Sequence, residues 1–135
     1  FILNIMPHLQ FDINFTLKNQ QRIRFIEFVK LKFSYIMKTG TSHIAISLRE
    51  HDINNINLGR AEKGDLICLM NLDIRKGRSK EQIEELVKTY INAVKEQFSV
   101  KTSNQYVTIT THEGEDFQLI EGGLKNYEVG DDPLN

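Results

Sequence analysis

The sequence predicts an α/β fold: two consecutive β-α-β units forming a four-stranded mixed sheet with two helices on one face. Three observations carry this. Segments of period two alternate with two long segments of helical period, strand-helix-strand and then again strand-helix-strand. The helix caps Asn19 and Ser79 are separated by almost the same length of chain as Ile44 and Tyr106, which lie in the strands that follow. Each helical connection is long enough for a right-handed crossover between parallel strands. Residue identity between the halves is slight, so the repeat rests on the order and spacing of its elements.

Each element has its own signal. In His8 to Phe15 the residues Leu9, Phe11, Ile13 and Phe15 share one face, which predicts a half-buried strand. Asn19 is placed to cap a helix running to about Lys38. That helix carries one apolar stripe through Ile23, Ile26, Val29, Phe33 and Ile36, and another through Phe25, Phe28, Leu31 and Tyr35. A helix facing only a sheet needs a single stripe, so the second predicts a further buried surface such as a partner subunit. Gly40 is the expected C-terminal stop. His43 to Arg49 alternates again, and the polar, Asn-rich stretch from Glu50 to Gly64 reads as a loop. Asp65 to Ile74 is mostly apolar, as in a central strand covered on both faces.

The second helix has the strongest signature. Ser79 and Gln82 form a capping box, and Ile83, Leu86, Val87, Tyr90, Ile91, Val94 and Phe98 follow at helical spacing. Gln105 to Thr111 is a β-branched, alternating last strand. The acidic, glycine-containing tail from His112 to Asn135 predicts a surface turn with a short helix or hairpin.

The 135 residues fit one domain, with 40% hydrophobic and 26% charged residues. A net charge of -1 supplies no basic footprint for nucleic acid. No apolar run approaches the ~20 residues of a membrane span. The opening Phe1 to Gln10 lacks the basic and long apolar regions of a signal peptide. Cys68 is the single cysteine, in an apolar run, and reads as a small buried hydrophobe. The expected compartment is cytoplasmic.

Arg75 and Arg78 flank Lys76-Gly77 between a buried strand and a helix N-terminus. Two guanidiniums beside free helix amides make a clamp for carboxylate or phosphate. The alternative is a solvated turn with Arg75 paired to Asp73. Pro7 follows Met6, so a chain that starts at Met6 and loses it exposes a secondary amine. Near two arginines and out of water, such an amine becomes a general base near neutrality. The alternative is a proline at the first position of a strand, which needs no function. The histidines His8, His43, His51 and His112 lack metal-ligand spacing. His112 could face the pocket or simply decorate a strand end.

Met6-Pro7-His8, the two β-α-β halves and the segment Ile74-Arg75-Lys76-Gly77-Arg78-Ser79 together resemble the tautomerase superfamily. Its relatives include 4-oxalocrotonate tautomerase and macrophage migration inhibitory factor. The resemblance spans about Met6 to Gly123 and is greatest to the long-chain cis-3-chloroacrylic acid dehalogenase and malonate semialdehyde decarboxylase groups, with Thr39-Gly40-Thr41 similar to the former. It implies one tautomerase-like domain over 1–135, with 1–6 an extension before Pro7 and 112–135 a tail. It implies Pro7 as the catalytic proline, and Arg75 and Arg78 as the arginines that hold a small carboxylate substrate. Tyr35 falls where the dehalogenases have a histidine and is placed with the substrate-binding residues. Thr108 falls where they have a tyrosine. A late, water-activating carboxylate is expected at Asp116, with Glu115 and Glu121 as the other choices. The resemblance implies no cofactor and no metal, and a homotrimer with Phe25, Phe28 and Leu31 as boundary candidates. The function expected is an isomerase or lyase for a 2-oxo or unsaturated carboxylate. The alternative is a binding or scaffold member whose Pro7 is blocked, since Met6 makes its nitrogen an amide in the chain as written.

Overall fold

The computed structural model describes residues 7–120, 122 and 123, so the expectations for Phe1 to Met6, Glu121 and the last part of the tail lie outside the described residues. Strand β1 (His8–Ile13) leads into helix α1 (Asn19–Met37) and strand β2 (Ala45–Glu50). Strand β3 (Cys68–Arg75), helix α2 (Lys80–Phe98) and strand β4 (Gln105–His112) repeat the order. The strands lie side by side as β2-β1-β3-β4. Each unit pairs its own strands in parallel, and β1 and β3 join the units antiparallel. This is the predicted four-stranded mixed sheet.

Alternation decides which face is packed. Leu9, Phe11 and Ile13 of β1 and Cys68, Met70, Leu72 and Ile74 of β3 are buried together with apolar residues of both helices. Phe11 shows why both helices lie on that one face. Its ring meets Phe25 of α1 edge-on at 5.0 Å and Tyr90 of α2 at 5.6 Å between centroids. The Tyr90 hydroxyl donates to the Val29 carbonyl at 2.9 Å, so the phenol is satisfied inside the helix-helix seam. Burial pushes its ionisation well above the ordinary tyrosine value.

Four expectations are corrected. The first helix is capped at Lys18 instead of Asn19: the Lys18 amide donates to Gln21 Oε1 at 2.9 Å, while the Asn19 carboxamide oxygen accepts from the Arg22 side chain. The helix ends at Lys38 in the left-handed conformation (φ 54°), with its amide on the Ser34 carbonyl, so Gly40 falls two residues past the stop. Strand β3 is packed on one face only, because Leu69, Asn71 and Asp73 alternate onto the other face and are half-buried. The two stripes on α1 are not two surfaces as drawn. Phe25 joins Val29, Phe33 and Ile36 in the core, while Ile23, Leu31 and Tyr35 form the exposed side. The start of the tail does form a turn and a hairpin: a 3-10 turn at Gly114–Asp116, then strands β5 (Gln118–Leu119) and β6 (Gly122–Gly123).

Candidate active site

The β1–β3 register gathers the predicted residues at one end of the sheet. His8 stands opposite Asp73, so Pro7 lies one step beyond, abreast of Ile74, and Arg75 follows it on β3. Pro7 is buried, and its carbonyl accepts from the Ala45 amide at 3.0 Å, tying it to the start of β2. A proline fits here because the first strand position needs no amide donor.

Arg75 and Arg78 are both buried, 3% and 9% exposed. Gly77 between them has φ 112°, a conformation costly for any residue with a Cβ, and this turn sends the chain from β3 into α2. Arg78 donates through Nη1 to the Met37 carbonyl at the end of α1. Next to it, Ser79 caps α2 by accepting from the Gln82 amide at 3.0 Å, and Gln82 Nε2 donates to the Ile36 carbonyl at 3.0 Å. The start of α2 is therefore bolted to the end of α1. Two buried guanidiniums beside a helix N-terminus create a positive field suited to an anion.

The other sheet face carries a polar chain across all four strands. Arg49 of β2 grips the Asp12 carboxylate at 2.7 and 2.9 Å and also donates to Gln10 at 3.1 Å. His51 adds a contact to Asp12 at 2.8 Å. The Arg49 guanidinium, with help from His51, holds the Asp12 carboxyl below its ordinary range despite partial burial. Gln10 donates to Asp73 at 3.1 Å, Asn71 donates to it at 3.3 Å, and His112 Nε2 lies 3.2 Å from its other oxygen. The neighbouring strand and His112 thus occupy Asp73, in place of the Arg75 pairing considered from the sequence.

The remaining predicted residues are spread around this end. Asp116 is exposed in the 3-10 turn after β4, its amide donating to the Glu113 carbonyl at 3.0 Å. Glu115 is exposed beside it, and Lys76 pairs with Glu113 at 2.5 Å. That contact, with a smaller contribution from Asp116, raises the Lys76 ammonium above its ordinary value. Thr108 lies in mid-strand opposite Asn71. Tyr35 is 78% exposed on the outer side of α1. It lines a shallow groove with Lys38, Thr39 and Glu85, so one chain alone does not bring it against the two arginines. Among the described residues, no three His, Cys, Asp or Glu side chains are grouped to hold a metal ion.

Sequence reasoning missed the Asp73–His112 contact and the carbonyls of Ile36 and Met37 as anchors. The polar phase of Asn71 and Asp73 within an apolar strand was the signal for the first. The second leaves no trace in sequence, because any residue type supplies a carbonyl.

No protein-family model and no curated protein sequence matches the chain. Solved structures do match in fold. N1, a member of the cis-3-chloroacrylic acid dehalogenase family, superposes with a TM-score of 0.76 at 16% identity over 91% of this chain and 85% of its own. The W0 fused 4-OT, described as a wild-type symmetric trimer, gives 0.77 at 16% identity over 85% and 94%. FG41 malonate semialdehyde decarboxylase, in a complex inhibited by 3-bromopropiolate, gives 0.67 at 15% identity over 81% and 86%. The chain therefore has the tautomerase fold.

Proposed function

We propose that this protein, in the form whose chain begins at Pro7, is a cofactor-independent isomerase or lyase for a small 2-oxo or unsaturated carboxylate. One observation carries the reading: a buried proline at the head of β1 lies at the same end of the sheet as two buried arginines. The positive field of Arg75 and Arg78 and the loss of water disfavour the ammonium form of a Pro7 amine, which lowers its pKa and makes it a base. Such an amine removes a proton from the carbon next to a carbonyl, and the arginines hold the carboxylate and stabilise the charge that develops. The 3-bromopropiolate that inhibits FG41 malonate semialdehyde decarboxylase is itself a small unsaturated carboxylate, in line with this substrate class. Asp116 and Tyr35 are proposed as the water-activating and substrate-facing residues, with Tyr35 reaching the site of a neighbouring subunit in a homotrimer.

The amide that Met6 makes with Pro7 favours a second reading, an anion-binding member with no proline chemistry. One comparison separates the two. A chain beginning at Pro7 is expected to ketonise phenylenolpyruvate, while the chain beginning at Phe1 does not, because an acylated proline accepts no proton near neutral pH. Equal rates would remove Pro7 from the mechanism. No helix among the described residues is long and apolar enough to cross a membrane.

A further inference from the structure

The imidazole of His112 makes two contacts, one through Nε2 and one through its ring. Nε2 lies 3.2 Å from Asp73 Oδ1, and the Phe117 ring packs against the imidazole edge-on, 5.4 Å between centroids. Among the described residues Nδ1 makes no hydrogen bond. The β3–β4 register sets His112 directly beside Arg75, and Asp73 is in turn the partner of His8, the residue after Pro7. Asp73 is itself fixed by Gln10 and Asn71, so the carboxylate that orients the ring cannot swing away.

We propose that His112 is a second acid-base residue of this site, oriented by Asp73 and acting through Nδ1 on the substrate oxygen next to the carboxylate held by Arg75. The inference rests on the proline-based reading above. In enolisation, the Pro7 nitrogen takes the proton from C3, the C3–H bond breaks and the C2–C3 double bond forms. The C2 carbonyl oxygen receives a proton from His112 Nδ1, leaving a neutral imidazole whose Nε2–H still donates to Asp73. Ketonisation reverses each transfer: the enol O–H proton passes to Nδ1 and the Pro7 ammonium protonates C3. Asp73 stabilises the imidazolium that then forms, as a carboxylate orienting a catalytic imidazole does. The other charged groups beside His112 are Arg75, its register neighbour on β3, and Lys76, whose amide donates to the His112 carbonyl and whose ammonium pairs with Glu113.

The test uses the chain beginning at Pro7 with phenylenolpyruvate across a range of pH. His112→Gln is expected to lower kcat by about 100-fold, the effect of losing one positioned acid-base group, with little change in KM. It also removes one ionisation from the kcat profile, which a purely structural residue would not do. Asp73→Asn gives a smaller loss of kcat and decides the matter if the glutamine variant does not fold. Nitrogen-15 NMR of the unliganded protein is expected to show His112 as the Nε2–H tautomer when neutral. Unchanged kcat and pH profile in both variants would overturn the inference and leave the Pro7 reading standing. No turnover by the unsubstituted Pro7-first chain would overturn both.

Discussion

The guanidinium of Arg78 donates to the carbonyl of Met37, so a residue at the threshold of α2 caps the last turn of α1. A cation at a helix C-terminus meets the negative end of the dipole and satisfies a carbonyl that has no partner within the helix. Arg78 therefore joins the two β-α-β units where their helices meet, besides carrying charge into the proposed site. Arg75 instead ends β3, where the strand register sets it beside His112 of β4.

This asymmetry separates two variants expected from sequence to behave alike. In the Pro7-first chain, Arg75→Ala and Arg78→Ala should each weaken transition-state stabilisation by about 2–4 kcal/mol, the range for losing one member of a buried charge pair. Arg78→Ala should also lower unfolding stability by about 1–3 kcal/mol, because it removes a charge-assisted hydrogen bond and leaves a helix end uncapped. Urea denaturation of Arg78→Ala against the unsubstituted chain measures this loss. Stability of Arg78→Ala equal to that of the unsubstituted chain would mean that the Met37 contact contributes nothing to the fold.

The Arg49–Asp12 pair predicts an acid-sensitive contribution to stability. The Asp12 carboxyl is held below its ordinary value of 3.8, chiefly by the hydrogen bonds from Arg49. A lowered pKa in the folded state means that the stabilisation is complete above the unfolded value and fades as pH falls through the folded one. Both residues are partly exposed, so the pair is worth about 0.5–1 kcal/mol. The stability gap between the unsubstituted protein and Asp12→Asn should be steady near neutrality and close below pH 3.8. A gap that widened in acid would contradict the assignment.

Cys68 is fully buried on the helix-packed face of β3, and burial pushes its thiol up to about 12. The thiolate is the reactive form, so the folded protein should barely react with a disulfide reagent at neutral pH. Reaction should appear only as the protein unfolds, at a rate that follows the unfolded population through a urea titration. Rapid labelling in native buffer would show that β3 is not sealed by the helices.

How legible the molecule was in its sequence depends on distance along the chain. The capping box Ser79–Gln82 and the stripe Leu86, Tyr90, Val94 are local, and the structure has both. The gathering of Pro7 with Arg75 follows from strand order, which the repeat revealed. What could not be read joins residues from different elements with no motif between them, such as Arg49 with Asp12 and Gln10, or Arg78 with a carbonyl on α1. The fate of Phe25 was misjudged for a related reason. A helix pattern alone cannot say which of two apolar stripes meets the sheet, and here the Phe11 and Phe98 rings take Phe25 into the core.

Phe25 is thereby removed as a subunit boundary residue, and Phe28 is half-buried with the Lys32 ammonium over its ring. Leu31 remains a candidate, now joined by Ile23 and Tyr35; the three are 51%, 64% and 78% exposed respectively. Leu31 and Tyr35 are neighbours four residues apart on the exposed side of α1, and Ile23 lies two turns before Leu31. Among the described residues β2 and β4 are the edges of the sheet, with no further strand paired to them, and Tyr106 on β4 is exposed. Open edges and a line of large apolar residues call for a covering surface. The homotrimer proposed above has three times the 15.7 kDa of one chain, a mass read by sedimentation equilibrium at micromolar concentration. Leu31→Lys should shift the mass towards the monomer while leaving helical circular dichroism intact, because the side chain is already outside the core. A monomer from the unsubstituted chain would refute the trimer, and an undisturbed trimer from Leu31→Lys would move the boundary off α1 and onto the strand edges.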